Sequence, residues 1–288
     1  MQNIFFISMT ILKKAHHIFI LIVFVISMSS CSLERKMARE FVESKPDISI
    51  LIMPVDYFFK KNLKSDNLGD TSEMTSFQVD SSAIANSMFL KDVSDSAFLE
   101  IYINNLFNEF ENLGIKVYGE SHLDTFLFIK TPAYILSIAQ LEMEEYYSTK
   151  EDSQEFGDFV YHKSISLNAV GINSWFELNR LNPQEEGHEL FYASEEISDF
   201  VDGYFSQNIF TGDVQYKYIN REMETEDIYR YAKILGRRYA SYTYDYIMNE
   251  YLTEHFPPGK ERRVFMRYNP ANNSLDAAGD NRFVFMED

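Results

Sequence analysis

The sequence predicts an α+β fold, a largely antiparallel or mixed sheet with packed helices, the last of them long and close to the C-terminus. Three observations predict it. Residues 95–113 carry Phe98, Tyr102, Leu106, Phe110 and Leu113 at helical spacing. Residues 227–252 repeat that pattern, and at 100° per residue Ile228, Ala232, Leu235, Tyr239, Tyr242 and Tyr246 share one face, the expected core stripe. Between the two lie short runs of alternating polar and apolar residues joined by turn signals, as antiparallel strands require.

In chain order, residues 31–46 read as a polar, mixed-charge tether with one helical turn, closed by Pro46. A globular domain is expected over 47–256. It starts with "ISILIMPVDYFF", an Ile-rich apolar run that fits a buried strand over 48–55. Residues 60–94 are rich in Ser, Asp and Asn and are long for a structureless loop, so short elements or a lid are expected there. Ser94 or Asp95 can cap the first helix, and Gly114 ends it before a short strand at 115–118.

Residues 124–138 fit strand or helix. From Ala139 the alternation is cleaner: Ala139, Leu141 and Met143 face one way, and Gln140, Glu142 and Glu144 the other. "DSQEFGD", residues 152–158, has the glycine of a calcium loop, but Gln154 and Phe156 stand at ligand positions; it reads as a solvated hairpin tip. Over 160–181 the apolar phase flips from Ile165, Leu167 and Ala169 to Val170, Ile172, Phe176 and Leu178, with Gly171 at the flip, where a bulge or bend would absorb it. "NPQEEG" is a turn into a strand at 189–193. An amphipathic segment at 197–205 precedes a strand near 214–219, and Pro257, Pro258 and Gly259 close the long helix.

Ahead of all this lies an export segment, residues 1–30. Lys13 and Lys14 precede the apolar run from Ile18 to Ile26, and no acidic residue occurs before position 31. That run falls well short of the roughly 20 residues that span a bilayer. Translation can start at Met1 or at Met9. The segment ends in "ISMSSC", which resembles the lipobox of bacterial lipoproteins, with Ile26, Met28, Ser29 and Ser30 before Cys31, though Met28 stands where the family more often has Leu.

The resemblance implies that Cys31 is diacylated and becomes the mature N-terminus, the membrane attachment point of the chain. A lone cysteine cannot form an internal disulfide, which agrees with that use. The residues after it lack the aspartate that resembles an inner-membrane retention signal. The expectation is an outer-membrane lipoprotein whose body lies in the periplasm. The arrangement of lipidated cysteine, tether, buried strand, a helix ending in "NLGIKVYG", several strands and a long last helix is similar to periplasmic lipoproteins such as curli-secretion channel lipoproteins and penicillin-binding-protein activators. That likeness implies an assembly or regulatory role and carries over no binding residue.

Composition narrows the partner. The 258 residues from Cys31 onward hold 24 Lys and Arg against 44 Asp and Glu, a charge of −20. Nucleic acid and anionic head groups both need a basic footprint, so neither is an expected ligand. No G-x-S-x-G elbow, P-loop, G-x-G-x-x-G or H-E-x-x-H occurs, and His122, His162, His188 and His255 are widely spaced. "EEGHE", residues 185–189, reads as an exposed turn rather than as acid–base machinery. No catalytic residue, cofactor or metal site is therefore expected.

One further surface stands out. Tyr244, Met248 and Tyr251 lie on the long helix roughly opposite the core stripe, at i, i+4, i+7. Such a patch needs a cover. The C-terminal tail, residues 257–288, offers Phe265, Tyr268, Phe283 and Phe285; the other reading makes the three residues a partner surface. The expected function is that of a lipid-anchored, non-enzymatic envelope protein that binds a protein of a larger complex. A solute- or glycan-binding lipoprotein is the first alternative, although Trp175 lies within a strand pattern, and a hydrolase with an unrecognised site is the second.

Overall fold

The computed structural model describes residues 32–55, 57–64, 75–183 and 188–286. Cys31 and the export segment lie outside the described residues. The chain divides into two compact units. The larger holds Asp47–Ser241 and Arg282–Asp288; the smaller holds the chain up to Pro46 and Tyr242–Asn281. The boundary expected at residue 256 is therefore not where the chain divides, because the long helix runs from one unit into the other.

The fold is α+β, with a mixed sheet and a long C-terminal helix, as the pattern required. Its strands in the larger unit begin with β1 (Ser49–Met53), whose Ile50, Leu51 and Ile52 are all fully buried. A strand covered on both faces needs an unbroken apolar run, which is what Ile50 to Met53 supplies. β1 lies parallel between β3 (Lys116–Gly119) and the start of β4 (Ala133–Phe156), while β2 (Phe58–Asn62) pairs with β4 further along. Antiparallel pairing continues through β5 (Phe159–Asn182), β6 (Glu189–Ser198) and β11 (Val284–Met286).

Short elements connect these strands. Residues 60–94 contain helix α2 (Ser76–Ala85), fixed by a capping box between Thr75 and Gln78. Helix α3 (Asp95–Asn112) is capped by Ser94 and followed by Gly114 in the left-handed region, φ 86°. The ambiguous stretch 124–138 resolves into a one-turn helix, α4 (Leu123–Phe126), and the beginning of β4.

Helix α3 and the first half of α5 (Thr225–His255) supply the cover of the sheet. Phe98, Tyr102, Leu106 and Phe110 of α3, and Ile228, Ala232, Leu235 and Tyr239 of α5, are fully buried. Each Phe, Leu or Ile among them contributes about 1.5–3 kcal/mol of transfer energy. An aromatic chain joins the layers: Phe58 stacks on Phe98, Tyr102 meets Tyr239 edge to face, and Tyr239 meets Phe176 at 5.1 Å. Phe283, just before β11, closes the cluster against Phe176 and Phe191. This part of the tail thus belongs to the larger core.

Two strand expectations are corrected. Ala139 does not share the face of Leu141 and Met143; the β4–β5 register shifts between Ile138 and Gln140, so Ala139 is the extra, exposed residue of a bulge. Conversely, no bulge sits at Gly171, where the ladder with Glu144 and Glu196 continues unbroken. The phase flip there reflects a change in the covered face: the Tyr146 ring lies over Gly171, where a Cβ would come within 3.0 Å of it.

The smaller unit overturns the tether. Residues 32–44 form a helix, α1 (Ser32–Ser44), of 13 residues, with Glu34, Ala38 and Phe41 buried at i, i+4, i+7. Its many charges mask that narrow stripe in the sequence. Phe41 packs on Tyr244 and Tyr251, and Tyr268 of β9 (Phe265–Asn269) packs on Tyr244. β9 pairs with β10 (Ser274–Ala278). Two polar residues of α5 replace a neighbouring strand for β9. Asn249 bonds both the N–H and the carbonyl of Met266, and Asp245 accepts from the Tyr268 N–H at 2.8 Å. Most buried polar groups in proteins are bonded in this way.

Candidate docking surface

Strands β4 and β5 are 24 residues each and outrun the sheet. Beyond about Tyr146 and Leu167, β4 and β5 pair only with each other, ending in the turn at Gly157, φ 61°. The expected hairpin tip at 152–158 is thus a tip, at the end of a long arm. A second hairpin runs along this arm: β7 (Phe200–Gln207) and β8 (Val214–Arg221), a two-stranded sheet of its own. The segment at 197–205, expected as amphipathic, is mostly β7.

Alternation sorts the side chains of this hairpin into two faces. The inner face holds Val201, Phe205 and Tyr216. Lys150 donates to the Val201 carbonyl, Tyr216 donates to Asp152 at 3.1 Å, and the Tyr161 ring meets Phe205. The Tyr216 ring crosses Gly203, so a larger residue there would displace that ring. As contacts progress along both hairpins in the same direction, the tips at 156–159 and 208–213 come out at the same end.

The outer face carries Phe200, Asp202 and Tyr204 on β7 and Lys217, Ile219 and Arg221 on β8. Ile219 pairs with Asp202, so Phe200 and Tyr204 are its diagonal neighbours, within reach for large side chains. All three large residues are exposed, Ile219 to 73%. The tip is held by Asn208, whose side chain accepts from the Phe210 and Thr211 amides and whose N–H bonds Asp213. That turn presents Ile209 and Phe210 at 92% and 94% exposure. A cleft of about 410 Å³ opens beside it, lined by Asn208, Phe210, Asp213, Gln215 and Lys217.

The polar clusters of the larger unit are internally bonded. Buried Glu145 accepts from the amides of Met88, Phe89 and Leu90 and pairs with Lys64 at 3.0 Å, while Lys64 also donates to Asn168. Burial pushes the Glu145 carboxyl up, but the Phe89 and Met88 amides and Lys64 outweigh it and hold the carboxyl below its usual value. Asp199 bonds Asn168 and the Met223 amide. Tyr231 is pushed up to about 12, by burial first and then by Glu195. These groups fasten loops, and in the case of Tyr231 helix α5, to strands.

Among the described residues no group of three or more His, Cys, Asp or Glu side chains is placed to hold a metal ion. His122 lies beside Ser121 and Tyr118, and His255 stacks on Tyr251. His188 and Glu189 are exposed at the start of β6, while Glu185, Glu186 and Gly187 lie outside the described residues. No helix among the described residues is long and apolar enough to cross a membrane.

The candidate interaction patch is corrected. Tyr244 and Met248 are buried and Tyr251 is half-buried, so the three form the core of the smaller unit rather than a surface. Seven consecutive residues of α5, Thr243 to Asn249, are buried, because α1 and β9 supply cover that a one-domain reading does not contain. Exposed apolar residues occur at several places, among them Phe128 and β11, and those grouped on one face lie on β7 and β8, which the sequence reading passed over. Its one signal was "NIFTGD", where two large apolar residues occupy a turn that polar residues normally fill.

No family model matches this chain. No curated protein matches it either. A crystal structure from Helicobacter pylori, described as that of a neuraminyllactose-binding hemagglutinin homolog, is similar at 11% identity over 73% of this chain and 85% of that one, with a TM-score of 0.27. A likeness at that score carries no argument here.

Proposed function

We propose that this chain is a lipid-anchored, non-enzymatic protein of the outer membrane, with its body in the periplasm, that docks a protein of a larger envelope complex. The lipobox-like segment ending at Cys31 supports the anchor, since two acyl chains hold a protein stably where one binds marginally. The observation that carries the docking function is the outer face of β7–β8, where Phe200, Tyr204 and Ile219 stand exposed together. Aromatic residues are favoured at protein interfaces, and apolar side chains grouped on one rigid face mark interaction sites.

The anchor is tested by labelled fatty acid, which enters the wild-type chain and does not enter Cys31→Ser; equal labelling of both removes it. Crosslinking in intact cells, followed by identification of the attached species, tests the docking. A protein adduct supports it, an enriched glycan favours the solute-binding alternative, and neither product reopens the hydrolase.

A further inference from the structure

We infer that the two hairpin tips form one docking end, Phe159–Val160 with Ile209–Phe210, whose occupant is a cationic protein segment bearing apolar side chains. This rests on the protein-docking reading above and specifies the chemistry of its partner.

The geometry comes first. Both tips end on the same side of the arm, as the contacts of Lys150, Asp152 and Tyr161 require. Phe159 is 70% exposed and Val160 52%. Four large apolar residues at the end of a double hairpin are costly to leave in water. The Asn208 turn also fixes two of them in advance, which lowers the entropy lost on binding.

Charge then selects the occupant. The larger unit holds 16 Lys and Arg against 35 Asp and Glu, a charge of −19, whereas the described residues of the smaller unit hold 8 against 9. The negative charge of the protein is thus concentrated in the unit that bears the tips. Near them stand Glu151, Asp152, Glu155, Asp158 and Asp213 against two lysines, Lys163 paired with Asp152 across the arm and Lys217 in the cleft beside the Asn208 turn, with Lys150 engaged to a backbone carbonyl; acid remains in excess. Insertion into an anionic bilayer favours Lys and Arg around an apolar wedge, and this collar is acidic. A basic protein surface is attracted instead, and its apolar side chains cover the tips.

The test uses the full chain held in vesicles of phosphatidylcholine alone, which offer a cationic peptide no anionic lipid, probed by two fluorescent peptides, one alternating Leu and Lys and one alternating Leu and Ser. The Leu-Lys peptide binds; Ile209→Ser with Phe210→Ser weakens it about ten-fold without lowering the melting temperature, since both side chains are exposed. Raising salt from about 50 to about 500 mM weakens it by a similar factor. The Leu-Ser peptide binds the wild type no better than the Leu-Lys peptide binds the double variant.

A Phe210→Trp chain in vesicles containing brominated lipid reports membrane contact and is expected to show no quenching at position 210. Equal binding of the Leu-Lys peptide by wild type and double variant overturns the inference, and so does quenching of that tryptophan. If either occurs while in-cell crosslinks to a protein persist from position 204, the docking function stands and only the tip assignment falls.

Discussion

Glu145→Ala lowers the stability of the larger unit by about 3–5 kcal/mol, the largest loss expected from one polar side chain here. Glu145 is fully buried, and its two oxygens accept three loop amides and the Lys64 ammonium. Truncation leaves Lys64, itself 7% exposed, without its counter-charge and leaves the Met88, Phe89 and Leu90 amides without their acceptor. Adding Lys64→Met to Glu145→Ala recovers part of the loss, because it removes the stranded charge. Glu196→Ala, which breaks an exposed bond from Tyr146, costs less than about 1 kcal/mol. Denaturant melts of the four chains check this, and a Glu145→Ala loss no larger than that of Glu196→Ala contradicts it.

The same group makes the unit acid-sensitive. Its folded pKa lies below the ordinary value of 4.5, so the unfolded chain takes up the proton first. Its contribution is therefore complete above that value. It declines as pH falls below 4.5 and is gone once pH has passed the folded pKa. Glu145→Ala removes this part of the acid dependence.

Gly236→Ala is the second large effect. At this point of α5 a Cβ would lie 2.3 Å from the Tyr102 carbonyl and 2.9 Å from the Leu106 amide of α3. Both obstacles are helix backbone, so the helices must separate and the Tyr102–Tyr239 contact opens with them. Overpacking of this kind costs about 1–3 kcal/mol or more, and the helix propensity gained, about 1 kcal/mol, does not offset a clash with backbone. Gly279→Ala adds a Cβ into open space and stays within about 0.5 kcal/mol of wild type. Thermal melts distinguish them; equal melting of the two variants removes the close-packing account.

How much was legible follows from how strongly each residue's surroundings were written locally. Helix α3 was readable because one stripe, one cap and one glycine agree. The first half of α5 was readable from its stripe alone. Its second half misled, because Tyr244 and Met248 oppose the stripe and their cover comes from Phe41, some 200 positions away in sequence. Helix α1 was missed because three buried positions are outnumbered by charge. The long arm of β4 and β5 was missed in extent, since most of its far half is exposed and the few partly covered positions, such as Asp152 and Tyr161, are covered by β7 and β8 from elsewhere in the sequence. The docking face was hidden differently. Phe200, Tyr204 and Ile219 look like ordinary strand residues until the register places them together on the face turned away from Phe205 and Tyr216.

The most direct measurement of the docking account places a photo-crosslinking amino acid at Tyr204 in the full chain in living cells, with the same group at the exposed Lys233 of α5 as control. The account predicts a discrete protein adduct from position 204, identified by mass spectrometry, lost when Phe200 and Ile219 are both changed to Ser, and not formed from position 233. Adducts of equal yield from both positions, or an adduct at 204 that survives the Phe200 and Ile219 changes, contradict it.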